Sequence, residues 1–225
     1  MSVQVPARTA PGTANEHAVA WLRQAIVSGA LRPGQQVKQE WVAEGAGLSV
    51  APVREALRVL EREGQVTYRP RRGYFVTELE LSDLEEIYQL RAILEPRAVL
   101  HAVPLFDEHA LERVEQAAEE CARAAEQGDV AAELAANRAF HFALFDAPGQ
   151  PHLLRLISLL WDSTEAYRAL YYNSPEERRA AVAAHDRIVA ALRDGDLDEL
   201  LAELEAHRKR ALEFLRRVLA DSEEG

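Results

Sequence analysis

"LSVAPVREALRVLEREGQVTYRPRRGYFV", Leu48 to Val76, gathers six arginines in a chain whose formal net charge is −11. Val53, Leu57 and Leu60 recur at helical spacing, which predicts a helix from about Val50 to Glu63. Ser49 is placed to cap it, and Pro52 falls in the first turn, where a missing N–H costs little. Gly64 ends the helix. "QVTYRP" and "GYFVT" are then β-type runs flanking Pro70-Arg71-Arg72-Gly73, which reads as a hairpin.

Upstream, "EHAVAWLRQAIVSGALRPG" carries Val19, Leu22, Ile26 and Val27 on one stripe and is stopped by Gly29 and Pro33-Gly34. "QEWVAEGAGLS" gives a short second helix ending near Gly45 to Gly47. Residues 1–14 read as a disordered tail, because they contain no apolar core of a secretory signal. No uninterrupted apolar run approaches ~18 residues, so no membrane-spanning helix is expected. Cys121 is the only cysteine of the 225 residues, which excludes an internal disulfide and fits a cytoplasmic protein. It lies in an Ala/Glu-rich helix without a nearby base and reads as inert.

Residues 1–77 hold 10 Lys/Arg and 6 Asp/Glu, a balance of +4; the remainder holds 16 and 31, a balance of −15. A basic part joined to an acidic one suggests that only the first meets a polyanion.

The acidic part reads as helix throughout. Ser82-Asp83-Leu84-Glu85 fits a capping box. Asp107 can cap the next helix, and Gly128-Asp129 looks like a C-cap followed by an N-cap. Residues 147–150 (APGQ) break the chain. Ser174-Pro175-Glu176-Glu177 fits a capping box with Pro at the first helical position, and Gly195-Asp196 with Glu199 repeats the cap. Six helices follow, packed lengthwise. The expected fold is mainly α: a winged helix-turn-helix at 15–77, a linker at 78–82, and an all-α antiparallel bundle at 83–221.

Two short helices joined through Gly45, Ala46 and Gly47 form a helix-turn-helix, whose later helix enters a DNA major groove. Ser49, Ala51 and Pro52 leave its N-terminal end small. Arg54 suits a guanine edge or a phosphate, and Arg58, one turn on, suits the backbone. The local alternative for Arg58 is an i,i+3 pair with Glu55 or Glu61. Arg69, Arg71, Arg72 and Gly73 form a wing that lies along the minor groove or its phosphates. Lys38 and Gln39, opening the second helix, complete the candidate DNA-contacting set.

"LRPGQQVKQEWVAEGAGLSVAPVREALRVLEREGQVTYRPRRGYFV" resembles the winged helix-turn-helix of GntR-type bacterial transcription regulators. The run Pro52-Val53-Arg54-Glu55-Ala56-Leu57, then Leu60-Glu61-Arg62-Glu63-Gly64, then Arg72-Gly73 and Phe75-Val76 carries the likeness. "EIYQLRAILEPRA" is similar to the opening helix of the FadR-type all-helical ligand-binding domain, FCD. Where family members commonly read Ser-Arg-Thr-Pro, this chain has Ser49-Val50-Ala51-Pro52, and Glu40 stands where many place Arg. A base-reading guanidinium is missing, and Val50 is suited to a thymine methyl.

Three of seven histidines fall on apolar stripes: His141 with Leu134, Asn137 and Leu144; His185 with Val182, Ile188, Val189 and Leu192; His207 with Leu200, Leu204 and Ala211. His185 precedes Gly195 by about as much as His207 follows Asp196, so an antiparallel pair puts them at one height. Asn137 sits one turn before His141. Converging imidazoles suit a divalent metal such as Zn or Ni; the alternative is three separately hydrogen-bonded core histidines. The resemblance implies a metal held by an acidic residue four before the first histidine plus two later ones; Asn137 occupies the acidic position.

Arg91 shares the inward stripe of Leu84, Ile87, Leu94 and Ala98 and needs an anion nearby. The local alternative is an i,i+4 pair with Glu95; the resemblance implies that Arg91 is part of an effector pocket, and Arg91 and Glu95 are the candidate effector-binding residues for a small organic acid. Trp161, Tyr167, Phe140 and Phe142 are candidate lining residues or plain core. These readings describe a homodimeric, metabolite-responsive regulator of operator DNA. The alternative is a metal-dependent enzyme with an appended DNA-binding part, with three histidines activating water.

Overall fold

A computed structural model describes residues 12–146 and 148–223. Contacts divide the chain into two compact units: one is built on residues up to Leu79 together with Asp162–Ala166, the other on Glu80–Trp161 and the chain from Tyr167 onward.

The first unit contains α1 (Ala14–Val27), β1 (Gln36–Val37), α2 (Gln39–Ala46), α3 (Val50–Arg62), β2 (Val66–Arg69) and β3 (Gly73–Val76). The tail expected over 1–14 lies largely outside the described residues, but its end is ordered. Thr13 caps α1, its side chain accepting from the Glu16 amide while the Glu16 carboxylate accepts from Thr13. That reciprocal pair starts the helix at Ala14. Gly47 closes α2 in the left-handed conformation. The strands form an antiparallel sheet in the order β1-β3-β2, with Val37 opposite Tyr74 and Tyr68 opposite Tyr74 on the other side. Trp21, Leu22, Val42, Val53, Leu57, Leu60 and Val76 form the core of this unit.

The second unit contains α4 (Leu81–Ala102), a 3₁₀ turn (Val103–Leu105), α5 (Glu108–Gln127), α6 (Val130–Phe145), most of α7 (Pro151–Ser163) and of α8 (Glu165–Tyr172), whose adjoining ends group with the first unit, and α9 (Pro175–Asp194) and α10 (Leu197–Glu223). Among the described residues that is seven α-helices where six were expected, because the segment after residue 150 is split at Thr164. The Trp161 carbonyl at the split is taken by the Arg168 side chain. The linker is also shorter than expected. Glu80 rather than Ser82 is the N-cap of α4, since the Glu80 amide donates to Asp83 and frees the next residues to wind. Asp107 and Asp129 accept from the Ala110 and Ala132 amides as expected. Ser174 accepts from the Glu177 amide, but the reciprocal half of that box is absent from the described bonds: the Glu177 carboxylate is held by Arg210 at 2.7 Å. Phe140, Leu144, Ile157, Trp161, Ile188 and Leu200 form the core.

The two long faces of α4 differ from an ordinary amphipathic helix. Leu84, Tyr88, Arg91, Glu95 and Ala98 are buried, while Leu90, Ile93 and Leu100 project from the opposite face, Ile93 at 68 % exposure. A helix that is apolar on both sides has a second surface suited to burial.

Candidate functional site

In the first unit, Ser49 occupies the N-cap of α3 with extended backbone but makes no side-chain capping bond. Pro52, the third helical residue, has no N–H and so removes one of the two amides the hydroxyl could accept from. Ser49, Ala51, Arg54 and Arg58 are exposed on the outer face of α3. Arg58 takes the local option, an exposed pair with Glu55 at 2.8 Å. Among the described residues Arg54, Arg71 and Arg72 make no ion pair, so their charge stays available to a polyanion. Lys38 is exposed at the start of α2, with Gln39 half-buried beside it.

The wing is held in shape by its own cations. The Arg69 and Arg72 guanidiniums lie 4.4 and 5.3 Å from the centroid of the Phe75 ring. The Arg72 amide donates to the Arg69 carbonyl, and Gln36 donates to the Arg72 carbonyl at 2.6 Å. β1, too short to be seen in the sequence, thus braces the turn. Arg71 at the tip has φ +63°, a left-handed conformation that side chains adopt at a cost.

In the second unit, His141 from α6, His185 from α9 and His207 from α10 offer ligand atoms that all lie within 4.8 Å of one another. The His141 and His207 rings are stacked with centroids 5.3 Å apart, and His185 is 5.0 Å from His207. Phe140 backs His185 at 4.3 Å. Asn137 is buried one turn before His141. Nδ1 of His141, both nitrogens of His185, Nδ1 of His207 and Oδ1 of Asn137 have no hydrogen-bond partner among the described residues. Separately satisfied core histidines would not look like this. Burial holds His141 and His185 well below the usual histidine range, with the neighbouring histidines adding to it. Burial followed by Arg91 lowers His207 to about 4. All three are therefore neutral at pH 7, the state in which imidazole binds metal. Three imidazoles and one amide oxygen suit Zn²⁺ or Ni²⁺, with positions left for a further ligand.

Beside the histidines, Arg91 and Glu95 form a buried ion pair at 2.7 Å. The sequence suggested that pair but not its extent. The second Glu95 oxygen accepts from Arg208 at 2.9 Å, and the first also accepts from the Trp161 indole at 2.8 Å. Burial alone would raise the Glu95 carboxyl, but Arg91 and Arg208 outweigh it and hold it below the ordinary range. Arg91 lies 4.3 Å over the Trp161 ring, and Arg168 lies 4.6 Å from the same ring. The enclosed space here is only about 30 Å³ and is lined by Asn137, His141 and His207 as well as these groups. Its charged walls are Arg91, Arg168 and Arg208 against Glu95, three positive to one negative. Arg168 and Arg208 were not singled out from sequence, although Arg208 shares a stripe with Leu204 and Ala211. Phe140, Phe142 and Tyr167 do not line the space; Phe140 and Tyr167 are core, and Phe142 packs under Arg138. Cys121 is buried, and burial pushes its thiol up to about 12, which keeps it protonated.

Comparison with known proteins agrees with both halves. Residues 14–76 match the family described as bacterial regulatory proteins, gntR family, and residues 86–210 match the FCD domain. The chain is 29 % identical over 204 residues to the HTH-type transcriptional regulator YdhC of Bacillus subtilis, covering 90 % of this chain and 91 % of that protein. It is 30 % identical to the HTH-type transcriptional regulator McbR of Escherichia coli, covering 78 % and 80 %. The solved structure of E. coli McbR/YncC superposes with a TM-score of 0.78 at 26 % identity, covering 92 % of this chain and 98 % of that one. These relatives are regulators, not enzymes, so the enzymatic alternative is not carried further.

Proposed function

Since the chain belongs to the GntR family of bacterial transcription regulators and carries an FCD domain, we propose that it is a metal-containing, metabolite-responsive regulator acting as a homodimer on a near-palindromic operator. The observation that carries the proposal is the three-histidine cluster with its unpartnered ring nitrogens, set against a cationic cavity. Buried polar atoms without partners each cost about 1–3 kcal/mol. A divalent ion on His141, His185 and His207, with Asn137 as a weaker oxygen donor, removes that cost. When bound, the ion supplies a positive centre for an anionic ligand.

Arg91 and Arg208 then act on the ligand from the protein side. A small organic acid is the effector class that an excess of buried guanidinium selects. To enter, it must compete with Glu95, which ties α4, α7 and α10 together through Arg91, Trp161 and Arg208. Releasing those bonds gives the ligand a different affinity for two arrangements of the helices, which any allosteric effect requires. The exposed stripe of Leu90, Ile93 and Leu100 on α4 supports a second copy as partner: it is the uncovered apolar face of a helix whose other face is already packed. In a dimer, two α3 helices with Arg54 and two wings with Arg71 and Arg72 hold the half-sites.

Metal analysis of protein purified without chelator tests the centre. About one Zn²⁺ or Ni²⁺ per chain is expected, with a melting temperature that chelator lowers and organic acids raise only in metal-loaded protein. Absence of stoichiometric metal together with indifference to chelator removes the site. For DNA, Arg54→Ala weakens operator binding while leaving the fold intact; unchanged binding rejects α3 as the reading helix.

A further inference from the structure

The central space is narrow and mostly walled by buried side chains. Arg91, Glu95, Asn137, His141, Trp161 and Arg208 are each at most 7 % exposed, and about 30 Å³ holds little more than one water molecule. Such walls leave an ion little room to pass unless one of them yields. His207 is the exception. It is the only one of the three histidines that is not fully buried. It lines the central space, and it also lines a separate open groove of about 430 Å³ between α9 and α10.

The groove is deep because its walls are short. Ala180, Ala183 and Ala184 on α9 face Ala206 on α10, and no side chain longer than a methyl group is contributed at these positions. Its charges are arranged in fixed pairs. Arg187 is held by Glu203 at 2.8 Å, Arg210 by Glu177 at 2.7 Å, and Lys209 by Glu205. Each lining cation is thus partnered by a carboxylate, and Glu213 adds a carboxylate to the groove wall itself. Pairing offsets the positive charge at this opening, and Glu213 stands there as a transient ligand.

We propose that the α9–α10 groove is the exchange route of the metal centre, with His207 as the inner gate through which an ion passes between solvent and the three-histidine cluster. The proposal rests on the metal reading given above. It assigns the alanine walls a role that packing alone does not require: Ala183 and Ala206 are exposed, so bulk there is not forbidden by the core.

The test is stopped-flow release of Zn²⁺ from the loaded full-length protein to a chromophoric chelator. Ala183→Leu and Ala206→Leu fill the groove from opposite walls. Each is expected to slow release by roughly an order of magnitude, leaving the equilibrium Zn²⁺ affinity within about twofold, since a plug raises the barrier without touching a ligand. Ala122→Leu, in the seam between α5 and α9 that shares only Ala183 with the groove, is expected to leave the rate unchanged. Wild-type release rates in both groove variants overturn the route while leaving the metal centre standing. A slowing in Ala122→Leu equal to theirs overturns it too, because the effect is then not specific to the groove. Failure of the wild-type protein to bind Zn²⁺ overturns the centre and the route together.

Discussion

Replacing Asn137 by aspartate changes one atom type and no volume, so it isolates charge at the metal centre. Asn137 is 3 % exposed, and its Oδ1 has no hydrogen-bond partner among the described residues. In the metal-free protein the new carboxylate is buried without a hydrogen-bonding partner, and the melting temperature falls. With a dication bound, a charge of −1 faces a charge of +2. At an effective dielectric constant of about 20 and a separation of about 4 Å, the gross attraction is roughly 8 kcal/mol. Most of it offsets stripping water from the carboxylate, a penalty of several kcal/mol. If about 3 kcal/mol survives, Zn²⁺ binds on the order of 100-fold more tightly. For a chain of this size, each 1 kcal/mol moves the melting temperature by about 2–4 °C. With free Zn²⁺ well above the wild-type dissociation constant, the Zn²⁺-induced rise is then some 6–12 °C larger in Asn137→Asp than in wild type. Isothermal titration and paired melts with Zn²⁺ or chelator measure both quantities. Equal or weaker Zn²⁺ affinity in the variant would refute Asn137 as a group facing the ion.

Glu133, buried on α6 one turn before Asn137, provides a pH test. Burial, only partly opposed by Arg178, raises its carboxyl from an ordinary 4.5 to about 7. The folded state thus holds the proton more tightly than the unfolded one. Its contribution is fully present below pH 4.5 and is lost as pH rises toward 7, a loss on the order of 3 kcal/mol. Glu133→Gln should match wild type in denaturant melts near pH 4.5 and exceed it at pH 8; the same difference at both pH values contradicts the assignment. Arg71→Gly relieves a left-handed residue at the wing tip and should raise stability by about 1 kcal/mol. It should also weaken DNA binding and reduce the slope of log affinity against log salt by about 1, measured by fluorescence anisotropy at several salt concentrations. An unchanged slope removes Arg71 from the phosphate contacts. Gly45→Ala places a Cβ 2.5 Å from the Trp21 ring, a rigid neighbour. Overpacking of this kind should cost about 1–3 kcal/mol in thermal melts; a neutral result means that α1 and α2 are looser than their contact implies.

Features fixed by local chemistry were legible in the sequence. Asp107, Gly128-Asp129 and Gly195 act at the helix ends where their side chains or conformations suggest. The stripes through Val53, Leu57 and Leu60, and through His141 and His185, are buried as their spacing implies. Features set by distant partners were not legible. The split at Thr164 depends on Arg168 folding back onto the Trp161 carbonyl, which leaves no trace in an apolar periodicity that runs on. Two overlapping caps compete before α4, Glu80 with Asp83 and Ser82 with Glu85, and residue preference alone favoured the wrong one. β1 is two residues long and exists only because β3 offers it a free edge. Glu95 was visible as an i,i+4 partner of Arg91, whereas its bonds to Trp161 and Arg208 join residues 66 and 113 positions away.

The histidine cluster shows why sequence could reach the site's membership and not its energetics. Stripe position and distance from the Gly195-Asp196 turn bring three imidazoles to one height, and that reasoning needs no partner beyond the helix pair and α6. Whether the ring nitrogens find partners is decided by every residue around them, and here five buried polar atoms of the cluster find none among the described residues. At about 1–3 kcal/mol apiece, their summed cost is comparable to the whole net stability of a domain. Leucine at the same positions would fill a helical core without that penalty. A bundle that carries it is one whose stability rises steeply when an ion satisfies those atoms. This makes the centre a point where ligand binding and helix packing are energetically the same event.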